Sequence, residues 1–401
     1  MTTKRTIEME DRHMPAFFKK IPVSIERGEG VTVWDEEGNR FLDFTAGWGV
    51  TCLGHAHPVI TRALLEQSGK ILQGPMAGAT YSPERARLLS LLVSILPPNL
   101  TRIFFSNSGA ESNDAAIKLA RKVTGRPDIA SALQGFHGRM TSTAATLVRA
   151  TRPEQPTALT PGNRFVPYGD IAALDAALDD QVAAVLLEPI QSEGGVRIPP
   201  DSYLGEVSRL CRANGSLLII DEVTTGFCRT GPMFAIDPLK IDVDFLTMAK
   251  GIAGGFPFGA FALSEEVAAR LEHGDHGGTY CGNPVGCAVA HAVIACLIGS
   301  NISANVKEMG VLALKQMEKW RQTWPDAVVD VRGRGLLLAV EFRDEGIASR
   351  INGDCFSRGL LIRQTLGSII RIFPALNIRR EEMEGGLAIL EKAIGNAVTA
   401  S

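Results

Sequence analysis

Three short stretches combine residue types that can do chemistry with a position suited to it. In Ser106-Asn107-Ser108-Gly109-Ala110-Glu111, Ser108 and Glu111 have the spacing of a capping box. Gly109 allows a close backbone approach. A helix opening there would present free N–H groups and the positive end of its dipole to an anion such as phosphate. The alternative is an ordinary capped helix. In Asp221-Glu222-Val223-Thr224-Thr225-Gly226, a carboxylate follows the apolar run Leu217–Ile220. It either serves a ligand or caps the next element. In Thr247-Met248-Ala249-Lys250-Gly251, a lysine follows another apolar run. Lysine is almost never fully buried without a partner. Lys250 therefore either emerges at the surface or is desolvated and able to form a Schiff base with a carbonyl.

The elements that must position these residues follow from periodicity. Val31–Asp35 and Arg40–Phe44 flank a hairpin turn. Pro83–Leu96 predicts a helix, Arg102–Ser106 a buried strand, and Ala110–Lys122 a helix stopped by Gly125. The rhythm continues with strands at Val182–Leu187, Ser216–Ile220 and Phe245–Ala249, and a helix at Tyr203–Ala213. Short apolar runs alternating with helices predict an α/β fold with a mainly parallel sheet covered on both faces. Ligands of such sheets gather beyond the carboxyl ends of the strands. Ser106, Glu188, Asp221 and Lys250 all follow apolar runs, so they are expected to converge. After about residue 296 the texture changes. A long helix at Ile302–Trp320, strands at Val328–Val331, Leu336–Phe342 and Ile369–Phe373, and a helix near Glu381–Ile394 predict a separate α+β unit.

Composition narrows the function classes. With 401 residues, 45% hydrophobic and 21% charged, the chain has the make-up of a folded protein of two or three domains. Lys plus Arg is 41 against 44 Asp plus Glu, a net charge of −3. That balance argues against nucleic acid or an anionic membrane as the main partner. The 7 cysteines are scattered without a CxxC, which disfavours a disulfide framework or a zinc site and suits a reducing compartment. The first residues lack the apolar core of a secretory signal, and no run is long enough to span a bilayer. The expectation is a cytoplasmic protein with no metal site. His55, His57, Cys281 and Cys287 are read as structural.

A phosphate cradle, a strand-end carboxylate and a strand-end lysine, in that order, suit one cofactor, pyridoxal phosphate. From about Gly28 to the C-terminus the sequence resembles the class III pyridoxal-phosphate aminotransferases, the group that contains ornithine and acetylornithine aminotransferases. The resemblance is carried by Gly54-His55-Ala56-His57-Pro58, Ser108-Gly109-Ala110-Glu111, Phe136-His137-Gly138-Arg139, Glu188-Pro189-Ile190-Gln191, Asp221-Glu222-Val223, Lys250, Gly282-Asn283-Pro284 and Arg371. It implies a fold-type I architecture: a large cofactor domain at 51–295 with a mainly parallel seven-stranded sheet, and a small α+β domain at 296–401 joined by the N-terminal segment 1–50.

The resemblance also implies roles. Lys250 would hold the cofactor as a Schiff base, and Asp221 would keep its ring nitrogen protonated. Phe136 and Val223 would cover the two ring faces. Ser108, Gly109 and Ala110 would hold the phosphate, with Glu188 and Thr224 also in the cofactor site. Thr279 would reach the phosphate bound by a second copy, implying a homodimer with shared active sites. Arg139 would bind a substrate carboxylate. Glu193 and Arg371 would form a gate that admits an amine when paired and an α-carboxylate when parted. Trp48 and Phe18 would line the substrate side. Four positions depart from the family pattern: Thr224 stands for a Gln that bonds the cofactor's phenolic oxygen, Ser192 for a Gly, Gly278 for a Ser, and Phe18 for a Tyr. They argue against strict ornithine or acetylornithine specificity.

The expected activity is transfer of an amino group from an amine or ω-amino acid to 2-oxoglutarate, in amino-acid metabolism. The alternatives are an ω-amino acid:pyruvate or 4-aminobutyrate transaminase, a decarboxylase or aminomutase of the same fold, and a non-catalytic dimer that binds the cofactor.

Overall fold

The computed structural model describes residues 2–147 and 162–399. Fifteen strands lie among these residues. A small sheet is built from β1 (Ile25–Glu29), β2 (Thr32–Asp35), β3 (Arg40–Asp43) and, from far downstream, β13 (Leu360–Leu361), which pairs parallel to β3. The central sheet comprises β4 (Leu100–Ser106), β5 (Asp128–Ala132), β6 (Asn163–Val166), β7 (Val182–Leu187), β8 (Leu217–Asp221), β9 (Phe245–Met248) and β10 (Gly259–Ser264). A third sheet contains β11 (Val328–Arg334), β12 (Leu337–Phe342), β14 (Arg363–Thr365) and β15 (Ile369–Ile372).

The central sheet runs β4-β10-β9-β8-β7-β5-β6. β10 is antiparallel to both neighbours and the other pairings are parallel. Every residue of β7, β9 and β10 is buried, which is why these strands read as continuous apolar runs rather than alternating ones. The helix Gly109–Thr124 packs across β7, β9 and β10. It stops at Gly125, whose φ of +71° is the left-handed conformation that glycine adopts without strain. The carboxyl ends of β4, β5, β7, β8 and β9 share one edge, and they are followed by Asn107, Phe136, Glu188, Val223 and Lys250.

The structure adds elements beyond those expected. Thr3–His13 is helical, capped by the Thr2 side chain. Pro58–Ser68 is a helix capped by His57, and Pro284–Gly299 is one capped by Asn283. Pro284–Gly299 carries apolar residues almost all round, on its buried side and on the side where Ala295 and Ile298 are exposed, so it has no amphipathic period to betray it. Among the described residues no single helix is long and apolar enough to cross a membrane.

Candidate active site

At the shared strand edge lies a cavity of about 470 Å³. Asn107, Ser108, Gly109, Ala110, Phe136, Arg139, Asp221, Val223 and Lys250 are among its lining residues. The first side of the cavity is the start of the helix Gly109–Thr124. Ser108 Oγ accepts from the Glu111 amide at 3.2 Å. The return contact of the expected capping box is shifted by one residue: Glu111 accepts from the backbone and side-chain nitrogens of Asn107, both at 2.8 Å. That leaves the first-turn amides of Gly109 and Ala110 on the cavity side, where a helix has no internal acceptor for them.

Asp221 ends β8 and is buried. One oxygen accepts from Asn113 Nδ2 at 2.7 Å and His137 Nδ1 at 2.8 Å, and the other from the Val223 amide at 2.9 Å. Asn113 is fixed in turn, donating to the His137 carbonyl at 2.9 Å and accepting from Thr247 Oγ1 at 2.6 Å. His137, Asn113 and Thr247 thus orient the carboxylate, and sequence reasoning assigned none of them a role. His137 lies inside the motif Phe136-His137-Gly138-Arg139; Asn113 and Thr247 give no local signal.

Lys250 sits one residue beyond the apolar run of β9, in the left-handed region at φ +46°. Its Nζ donates to Thr224 Oγ1 at 2.5 Å. Burial lowers its pKa, while Glu193, Asp221 and Glu188 oppose that. Thr224, shorter than the glutamine of the resemblance, therefore meets the lysine itself. Glu188 accepts from the amides of Phe136 (2.9 Å) and Ser192 (3.2 Å). Burial pushes its carboxyl up to about 7, against the opposing influence of His137.

Beyond Lys250, Arg371 on β15 is buried and pairs with Glu193 at 2.8 Å. The same nitrogen donates to Ser192 Oγ at 3.0 Å, a contact that glycine at 192 would lack. Burial raises the pKa of Glu193, but Arg371, Lys250 and Arg363 outweigh it and hold the carboxyl below its usual range. Arg139 lies near two rings, 5.8 Å from the Phe18 centroid and 5.9 Å from that of Phe136. Trp48 faces Arg371 at 5.8 Å. Thr279 is not brought to this cavity. It is exposed, and its carbonyl accepts from Gln73 at 2.5 Å.

Comparison with known proteins decides the family. Residues 14–394 match the description Aminotransferase class-III. The chain belongs to the class III aminotransferases. It is 41% identical to the acetylornithine aminotransferase of Methanothermobacter thermautotrophicus, over 99% of this chain and 100% of the relative. The ornithine aminotransferase of Toxoplasma gondii superposes with a TM-score of 0.94 at 28% identity, covering 100% of this chain and 97% of that one. The acetylornithine aminotransferase of Elizabethkingia anophelis gives 0.87 at 32% identity, over 99% and 100%. As a class III aminotransferase the protein is a pyridoxal-phosphate-dependent transaminase of fold-type I.

The residues present fit that cofactor. A Cβ on Gly109 would come within 2.7 Å of Val223, and one on Gly138, at φ +135°, within 2.6 Å of Ala110. Both glycines thus let the lining residues Val223 and Ala110 pack closely at this cavity, while Asp221 supplies a buried carboxylate with fixed orientation.

Proposed function

We propose that this aminotransferase moves an amino group from an amine or ω-amino acid of the ornithine or acetylornithine type to 2-oxoglutarate. The observation that carries the reading is the pairing of buried Arg371 with half-buried Glu193 at 2.8 Å, with a second arginine, Arg139, near the rings of Phe18 and Phe136. Paired, Glu193 masks the Arg371 charge and lets the amine end of a donor pass. Displaced by a substrate α-carboxylate, it releases a planar guanidinium suited to bidentate recognition. Arg139 would then hold the distal carboxylate, with Phe18 and Trp48 bounding the chain between them.

Bound pyridoxal phosphate supplies the electron sink that stabilises negative charge on the donor carbon. Lys250 would anchor it. Once displaced, its Nζ removes the proton from the amine-bearing carbon, steered by Thr224 Oγ1. Burial favours the neutral amine this step needs. Asp221, held by Asn113 and His137, would keep a proton on the ring nitrogen. Phe136 and Val223 would cover the ring, and Ser108, Gly109 and Ala110 would hold the phosphate. Glu188 sets the Phe136 amide and Ser192 in place.

The same proposal extends to assembly and setting. The working unit is a homodimer in which Thr279 serves the partner's site, in keeping with its exposure here. The seven cysteines are free thiols, as suits the cytoplasm. Segments 1–50 and 296–401 form the small domain around the large domain 51–295, supported by the pairing of β13 with β3.

The test is a half-reaction screen. The yellow holoenzyme is mixed with ornithine, acetylornithine, 4-aminobutyrate or simple aryl amines, and absorbance of the bound cofactor is followed. Absorbance should fall with a carboxylate-bearing donor and return on adding 2-oxoglutarate, and Lys250→Ala should abolish both changes. Release of carbon dioxide or an isomer without amino transfer would overturn the reading.

A further inference from the structure

β14 and β15 place Arg363 directly opposite Arg371. Residues opposite each other in an antiparallel pair project from the same face, where like charges repel. Glu193 neutralises Arg371, but among the described residues no carboxylate forms an ion pair with Arg363. Its guanidinium lies 4.5 Å from the centroid of Trp48, whose ring also faces Arg371 at 5.8 Å. The indole is thus a shelf beneath two cations. Two arginines against one glutamate leave a positive charge at this corner even while Glu193 covers Arg371. Arg363 is exposed, so its N–H groups remain open to a ligand.

The shelf is held at a cost. Trp48 has φ +67° and ψ +32°, after Gly47 at φ +54° and Ala46 at φ +44°. Non-glycine residues in this region cost about 1–3 kcal/mol each and persist only where the surroundings over-determine them. Here Asp43 does so. One of its oxygens accepts from the Thr45 amide (2.8 Å), the Thr45 hydroxyl (2.6 Å) and the Ala46 amide (3.2 Å). The other pairs with His55 Nε2 at 2.8 Å. A strained turn clamped in this way, presenting an aromatic face to an unneutralised arginine beside the substrate gate, points to recognition.

We propose that Arg363, shelved on Trp48, is a specificity-determining residue that binds a further anionic group of the amine donor, beyond the carboxylate given to Arg139. The substrate class is then an ω-amino acid carrying a second carboxylate on the arm away from the reacting amine. This rests on the aminotransferase reading, and the test separates the two. The probes are ornithine acylated on its α-nitrogen with succinate or glutarate, and the same donors with the acyl carboxylate converted to a primary amide. In the wild type, half-reaction kcat/KM should favour the acid at least tenfold over the amide. In Arg363→Gln that ratio should fall to within twofold of one, while Trp48→Phe should retain part of it.

Equilibrium binding of the same pairs built on norvaline, which lacks the reacting amine, gives a readout free of turnover. Charge-selective binding lost in Arg363→Gln supports the site even if no donor reacts, an outcome that would sink the aminotransferase reading alone. Equal binding of acid and amide by the wild type, or a preference unchanged in Arg363→Gln, overturns the proposal.

Discussion

Gly109→Ala tests how tightly the wall of the proposed cofactor site is built. The added Cβ would lie 2.7 Å and 2.8 Å from the two γ-carbons of Val223. Carbon atoms pack best at about 3.5–4.0 Å, so Val223 must retreat by most of an ångström. The helix cannot yield instead. Its cap is pinned by Ser106 and Ser112, whose hydroxyls donate to the Ser108 carbonyl at 3.2 and 3.1 Å. The push therefore falls on Val223, whose amide is bonded to Asp221 at 2.9 Å, and it disturbs the carboxylate as well as the ring contact. Overpacking of this kind costs about 1–3 kcal/mol, or roughly 5- to 150-fold in an equilibrium constant. Titrating apoenzyme with pyridoxal phosphate should show Kd rising within that range. In a Val223→Ala background both γ-carbons are gone, and adding Gly109→Ala there should raise Kd far less than it does in the wild type. A Kd within twofold of wild type for Gly109→Ala alone, or an equal rise in the Val223→Ala background, would refute the packing argument.

Two further outcomes follow from buried charge. Burial raises the Glu222 carboxyl to about 8, above the 4.3–4.5 of an unfolded chain. The folded state thus keeps a proton that the unfolded state has released, so stability falls as pH rises from about 4.5 through about 8, by up to about 1.4 kcal/mol per unit. Glu222→Gln can still meet Thr225 and the Ile236 amide and should flatten that slope in denaturant unfolding at pH 5, 6.5 and 8; an unchanged slope would disprove the assignment. Asp43→Asn weakens the clamp on the Trp48 turn at contacts worth about 1.5–3 kcal/mol when charged. It should raise the donor KM severalfold with cofactor Kd unchanged, whereas equal effects on both would show that the turn is merely structural.

Much of the site was legible because its residues announce themselves locally. Ser108 precedes a periodic run that ends at Gly125, and β7, β8 and β9 are apolar runs whose next polar residues are Glu188, Asp221 and Lys250. The supporting residues are different. Asn113 meets Asp221 across 108 positions and Thr247 across 134, so no window of sequence contains both partners. Arg363 is harder still. Its meaning depends on the register of a three-residue strand, and only that pairing sets it across from Arg371. Pro284–Gly299 was silent for the opposite reason, since a helix apolar on every side has no phase to read.

The loop after β8 shows why position, more than residue type, decides which carboxylate serves the site. Successive residues leaving a strand face opposite ways. Asp221 and Val223 both line the cavity, and Asp221 takes donors from Asn113, His137 and Val223. Glu222 between them turns inward, fully buried, to the Thr225 hydroxyl and the Ile236 amide. Among the described residues no cation forms an ion pair with it, and burial holds its proton up to about 8. Two adjacent acids thus have opposite fates, one oriented at the cavity and the other kept neutral in the core. A one-residue slip of β8 would exchange them, bringing the longer side chain to the cavity and setting the shorter one among partners too far to reach. The ladder bonds that pair β8 with β7 and β9 are therefore as much a part of the site as the three donors around Asp221.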